Sequence, residues 1–137
     1  MKISHVNYSD IRGGAAVAAY RLHHGLRRHG IDSSMYVNWS QTDEAEVYGP
    51  GSIYKTALGL ARRPVGELVT KSLKTPNRSL HSPALLPSGW PNRLNNADSD
   101  LVHLHWLGWE MMSVRDVFKL DKPIVWTMHD MWPFCGA

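Results

Sequence analysis

The chain has 137 residues, 43% hydrophobic and 20% charged, with Lys plus Arg at 15, Asp plus Glu at 12 and a formal charge of +3. That length is one domain by the usual prior and buries roughly two-thirds of its unfolded surface, which together with the mixed composition excludes a disordered chain. The mild basicity suits anionic partners such as nucleotides, phosphosugars or acidic lipid surfaces, with nucleic acid not expected; the single cysteine, Cys135, excludes an internal disulfide and fits a reducing, cytoplasmic compartment.

Residues 3–6 read as a first strand, in an opening stretch too short in apolar residues for a signal peptide. Residues 8–14 form a polar turn ending in Gly13-Gly14. Residues 15–29 carry Ala15, Ala19, Leu22 and Leu26 at helical spacing, with Arg27, Arg28 and His29 in the last turn and Gly30 as the stop. Residues 34–38 read as a second strand, completing a βαβ unit and predicting a parallel sheet with the first strand central. Residues 39–51 read as a polar loop, and 52–74 as a weaker helix broken near Pro64. In that helix basic residues (Arg62, Arg63, Lys71, Lys74) interleave with apolar ones, a pattern suited to peripheral contact with an anionic membrane or to an ordinary surface helix. Residues 75–97 read as an irregular connection and 101–105 as a third strand. Residues 113–120 are expected to be a helix with Ser113 as N-cap and Asp116 three positions on, and 124–128 a strand buried on both faces. No apolar run reaches the roughly 18 residues a membrane span needs. The reading is an α/β domain, Rossmann-like, with helices on both faces of a parallel sheet. The sheet ends on a strand with no covering helix after it, so the domain over residues 1–137 is expected to be incomplete.

In such sheets ligands bind beyond the carboxyl ends of the strands. There stand Asn7, Ser9, Asp10, Gly13 and Gly14 after the first strand, His105, Trp106 and Trp109 after the third, and His129, Asp130, Trp132 and Phe134 after the fourth. Gly13-Gly14 before a helix lets the backbone approach a phosphate, or serves as a tight turn alone. It is not the G-x-G-x-x-G fingerprint, and no acidic residue closes the second strand, which argues against a dehydrogenase. His103 and His105 share a strand face and read either as a metal pair or as a core group beside a rim group, His105 being the better ligand. A metal hydrolase would need further ligands, which the other histidines do not offer at convincing spacing. His129 can hydrogen-bond a sugar or a leaving group, or anchor its loop; the three tryptophans can stack on sugar rings or cap the core. His23, His24 and His29 read as surface groups.

Ser9-Asp10 with Gly13-Gly14-Ala15-Ala16 and Ala19-Tyr20-Arg21-Leu22, the segment Ser82-Pro83-Ala84-Leu85-Leu86-Pro87-Ser88, Asp100-Leu101-Val102-His103-Leu104-His105-Trp106, and the run from Lys122 to Phe134 together resemble family 4 glycosyltransferases, in the branch that builds surface polysaccharides. The resemblance implies the N-terminal, acceptor-side domain of a two-domain GT-B fold. Such an enzyme is retaining and uses no metal or other cofactor, with a nucleotide-sugar as donor and a glycan or lipid-linked acceptor. Gly13 and Gly14 would meet the donor diphosphate, His129 the transferred sugar, and Asp10, His105, Trp106, Asp130 and Trp132 would belong to the cleft. The second, donor-gripping domain is expected elsewhere, missing or separately encoded. The chain alone is then expected to be inactive, at the inner face of the membrane or free in the cytoplasm. The alternative is a non-catalytic assembly half that docks on a separate donor domain.

Overall fold

A computed structural model describes residues 1–72 and 82–135. In chain order the elements are β1 (Lys2–Ser9), α1 (Gly14–Arg28), β2 (Asp32–Trp39), β3 (Val47–Tyr48), α2 (Ile53–Ser72), α3 (Trp90–Asn95), β4 (Leu101–Leu104), α4 (Val114–Val117), β5 (Ile124–Trp126) and α5 (Trp132–Cys135). The strands form one parallel sheet in the order β3-β2-β1-β4-β5, with β1 central as expected. Successive connections run outward from β1 in opposite directions, through β2 on one side and β4 on the other. The carboxyl ends of β1 and β4 therefore border the point where the winding reverses.

Alternation along the strands sorts the two faces. Val6, Tyr8, Val102 and Leu104 pack with Trp90 and Leu94 of α3 and with Leu107, Met111 and Met112 into the larger core. On the other face Met35 and Val37 of β2 and Val47 pack against Ala19 of α1. The buried stripe of α1 is Ala16, Ala19 and His23, at spacings of three and four. The expected stripe is thus rotated: Leu22 is exposed, and a histidine takes the core position because Ser33 Oγ lies 2.8 Å from its Nδ1. The helix ends with Gly30 at φ 74°, where its N–H donates to Arg27 O and that of Ile31 to Leu26 O, closing the last turn.

Four other expectations are corrected. Within the polar loop 39–51 lies β3, two residues long and held by the pairing Met35↔Val47. The helix α2 runs through Pro64 instead of breaking there. Proline's ring and missing N–H are accommodated on an exposed part of the helix, while Gly59 and Gly66 face inward. A Cβ on Gly66 would stand 2.7 Å from Glu110 Cγ, so the helix approaches the body through its glycines and turns Ile53, Tyr54, Leu58 and Leu68 outward. The irregular connection contains α3, while residues 73–81, with Lys74, lie outside the described residues. Finally β5 is an edge strand, not a buried one: Ile124 is 40% and Val125 48% exposed. The helix α4 does begin with the expected reciprocal cap, Ser113 Oγ accepting from Asp116 N–H and the Asp116 carboxylate from Ser113 N–H.

Candidate active site

The turn after β1 is built locally. Ser9 Oγ donates to Arg12 O and accepts from Arg12 N–H, and Gly13 takes φ 97°, a conformation that suits glycine. Gly13 thereby becomes the N-cap of α1 with no side chain to cap the helix, and no acidic residue follows in the first turn. The first-turn N–H groups have no intrahelical acceptor, and they carry the positive end of the helix dipole. They border a cavity of about 290 Å³ at the reversal point, lined also by Asn7, Tyr8, Arg12, Trp106, Trp109, His129 and Asp130.

The opposite wall is aromatic. Trp106 is fixed at both ends: its backbone N–H donates to Asn7 Oδ1 (2.8 Å) and its indole N–H to Asp130 Oδ2 (2.9 Å). Tyr8, Trp106 and Trp109 meet edge to face at centroid distances of 4.8–5.9 Å. Arg12, which lines the cavity, lies over the Trp39 ring, and Arg63 of α2, ion-paired with Glu67 at 2.8 Å, lies over the Trp109 ring.

Behind His129 runs a file of imidazoles. His129 Nε2 lies 3.1 Å from His105 Nδ1, and His105 Nε2 lies 3.0 Å from His5 Nδ1. The file ends at His5 Nε2, which is buried with no partner among the described residues. Each link needs one donor and one acceptor, so the tautomer of His129 is tied to those of the two rings behind it. Burial, reinforced by neighbouring histidines, lowers the pKa of His5 to about 3 and of His105 to about 2. His103 is likewise lowered, burial first and His129 next, and its Nε2 lies 2.7 Å from Thr127 Oγ1.

Of the expected site residues, Gly13, Gly14, Trp106, His129 and Asp130 line one cavity. His105 is buried behind it and reaches it through His129. Asp10 does not line it: fully buried, it accepts hydrogen bonds from the N–H groups of Ile11, Gln41 and Thr42 and from the Thr42 hydroxyl. Burial would raise its pKa, but these bonds outweigh burial and hold it below the ordinary value. Trp132 does not line it either; its buried indole N–H donates to Ser82 O. Tyr8, Arg12 and Ala16 were not legible as site residues from strand ends alone. Arg12 had a signal, a cation directly before two glycines at a helix start.

A parallel sheet with an uncapped helix N-terminus, a histidine and tryptophans around one cavity at the winding reversal defines a Rossmann-like α/β domain. The model of Glycosyltransferase Family 4 matches residues 12–136, and the chain belongs to that family. No curated protein and no solved structure gives a significant match.

Proposed function

We propose that this chain is the N-terminal, acceptor-side half of a retaining GT-B glycosyltransferase of surface-polysaccharide synthesis, moving a sugar from a nucleotide-sugar to a glycan or lipid-linked acceptor. The observation that carries the reading is the meeting of free helix N–H groups, His129 and the Trp106 wall in one cavity at the reversal point. The N–H groups of Gly14 and its neighbours receive the donor diphosphate, where charge grows as the glycosidic bond breaks. His129 hydrogen-bonds the transferred sugar, its orientation set by His105. Trp106, locked by Asn7 and Asp130, offers a ring face to a pyranose. The helix α2, with Ile53, Tyr54, Leu58 and Leu68 exposed among Lys55, Arg63 and Lys71, supplies a peripheral contact with the inner face of a membrane. Among the described residues no helix is long and apolar enough to cross one.

A second reading, an assembly half that acts only by docking, is favoured by the exposed apolar residues Ile124 and Val125 on β5 and Phe134 on α5. Titration of the isotope-labelled chain with inorganic pyrophosphate, then with nucleotide-sugars, tests the first. Amide shifts confined to residues 13–16 and the segment around His129 are expected; shifts elsewhere, or none at millimolar ligand, overturn it. The isolated chain should show no transfer, because a closed cleft that positions both substrates is worth about 7–11 kcal/mol. With a family donor-binding domain supplied, His129→Ala should lower turnover more than donor affinity. Unchanged turnover in that variant favours the docking reading.

A further inference from the structure

A second polar cluster lies away from the cavity, where α1 meets the segment between β2 and β3. One ring nitrogen from each of His23 and His24 and one oxygen of Glu44 lie within 4.8 Å of one another. The atoms around the cluster fall into two classes. For two of the three residues the second polar atom already has a partner: His23 Nδ1 has Ser33 Oγ at 2.8 Å, and Glu44 Oε1 accepts from the Tyr20 hydroxyl. The remaining atoms do not form good hydrogen bonds. His23 Nε2 is buried in a residue with no exposed surface and has no partner among the described residues. His24 Nε2 is 3.0 Å from Glu44 Oε2 but makes no well-directed hydrogen bond. A buried ring nitrogen left unpaired is costly, and this division of atoms, one side anchored and the other open, is how protein ligands to metals are held.

Ring orientation agrees. The His23 and His24 rings meet edge to face, at 68° with centroids 5.2 Å apart, so they do not stack on one another. The other three-residue group, His5, His103 and His105, is arranged differently. Its rings stack at 23–36° and present faces to one another, and the His5 and His105 nitrogens between them are paired. The Arg27 guanidinium, whose charge reaches His23, is turned to Glu46 at 2.7 Å.

We propose that His23, His24 and Glu44 bind one divalent transition-metal ion of borderline character, zinc or a close neighbour. Two imidazoles and one carboxylate are the donor set such ions take, with positions left over for water. Partial exposure of His24 and Glu44 gives the ion access. The site ties α1 to the segment whose residues Gln41 and Thr42 hold Asp10, next to the glycine turn.

The test uses the untagged, chelator-treated full chain, titrated with Co²⁺ as a spectroscopic probe and then with Zn²⁺ in competition. One equivalent should bind, with the visible absorption of a low-coordinate nitrogen–oxygen site, and Zn²⁺ should displace it and raise the thermal midpoint. Glu44→Gln and His24→Ala, both at half-exposed positions, should weaken binding more than about tenfold, and Ser33→Ala by about 10–100-fold through the lost anchor. His103→Gln should bind as the parent does. No saturable Co²⁺ binding, binding that survives Glu44→Gln and His24→Ala, or binding lost in His103→Gln would each overturn the assignment.

Discussion

Along β1 and β4, alternate residues part into two chemistries. Val6, Tyr8, Val102 and Leu104 enter a core of leucine, methionine and tryptophan. One position away, His5, His103 and His105 lie on the opposite face, with His23 of α1 edge-on to His5 at 6.1 Å. The first face is held by contact and by exclusion of water, which are indifferent to protons. The second must account for every ring nitrogen, and two buried ones, His5 Nε2 and His23 Nε2, lack a partner among the described residues. The hydrocarbon face therefore supplies stability, while the imidazole face spends part of it to hold neutral, ordered rings behind the cavity.

Acid is the strongest way to separate the two. Folding lowers the pKa of His5 to about 3, His105 to about 2 and His23 to about 4, burial being the main cause in each. In the unfolded chain these rings titrate at about 6.5, so below that pH the unfolded state takes up protons that the folded state refuses. Their stability cost is absent above about pH 7 and grows as pH falls from 6.5 toward the folded values. At pH 5 it reaches about 2 kcal/mol for each ring. Urea midpoints measured from pH 7.5 to 5 should fall steeply, with an uptake approaching three protons on unfolding. A flat profile would show that the imidazole face is not sealed from water.

Leu104→Ala examines the other face. The residue is fully buried in the larger core, and the truncation should cost about 2–5 kcal/mol. The pH slope of the variant should match that of the parent, since no titrating group has changed. A slope that changes with this substitution would mean that the two faces are not energetically separate.

What the sequence makes legible follows the same division. Periodicity identifies β1, α1 and β2, and the parallel order with β1 central, because those elements are long and their apolar residues repeat. The Ser113 and Asp116 cap is readable because both partners lie within one turn. The two-residue β3 has no period to read; its pairing with Met35 and Tyr36 makes it a strand. His23 looks like a surface group on α1 because the partner that lets it be buried, Ser33, lies on another element. Gly59 and Gly66 suggest a weak helix but are where α2 leaves no room for a side chain against Asn38 and Glu110. At the cavity, glycines and strand-end residues are visible one by one. That Asp10 turns away to hold residues 41 and 42 depends on a contact across 31 positions.

The smallest effect on stability should accompany a specific effect on binding, and Gly14 is the place to look. Unlike Gly13, it does not have a positive φ, and a Cβ added to it would meet no atom within 4 Å. The fold therefore accepts a side chain there, and as the first residue of α1 the position tolerates ordinary helical residues. Gly14→Val should leave the urea midpoint within about 0.5 kcal/mol of the parent's stability. Yet Gly14 lines the cavity beside the free N–H groups of the helix start, where the valine methyl groups would occupy space that a diphosphate needs. Pyrophosphate and nucleotide-sugar titrations should accordingly show the shifts at residues 13–16 weakened or lost, while the pH profile of the imidazole face stays as in the parent. Parent-like binding by a folded Gly14→Val chain would remove the helix start from the site and leave the cavity with only its aromatic wall and His129.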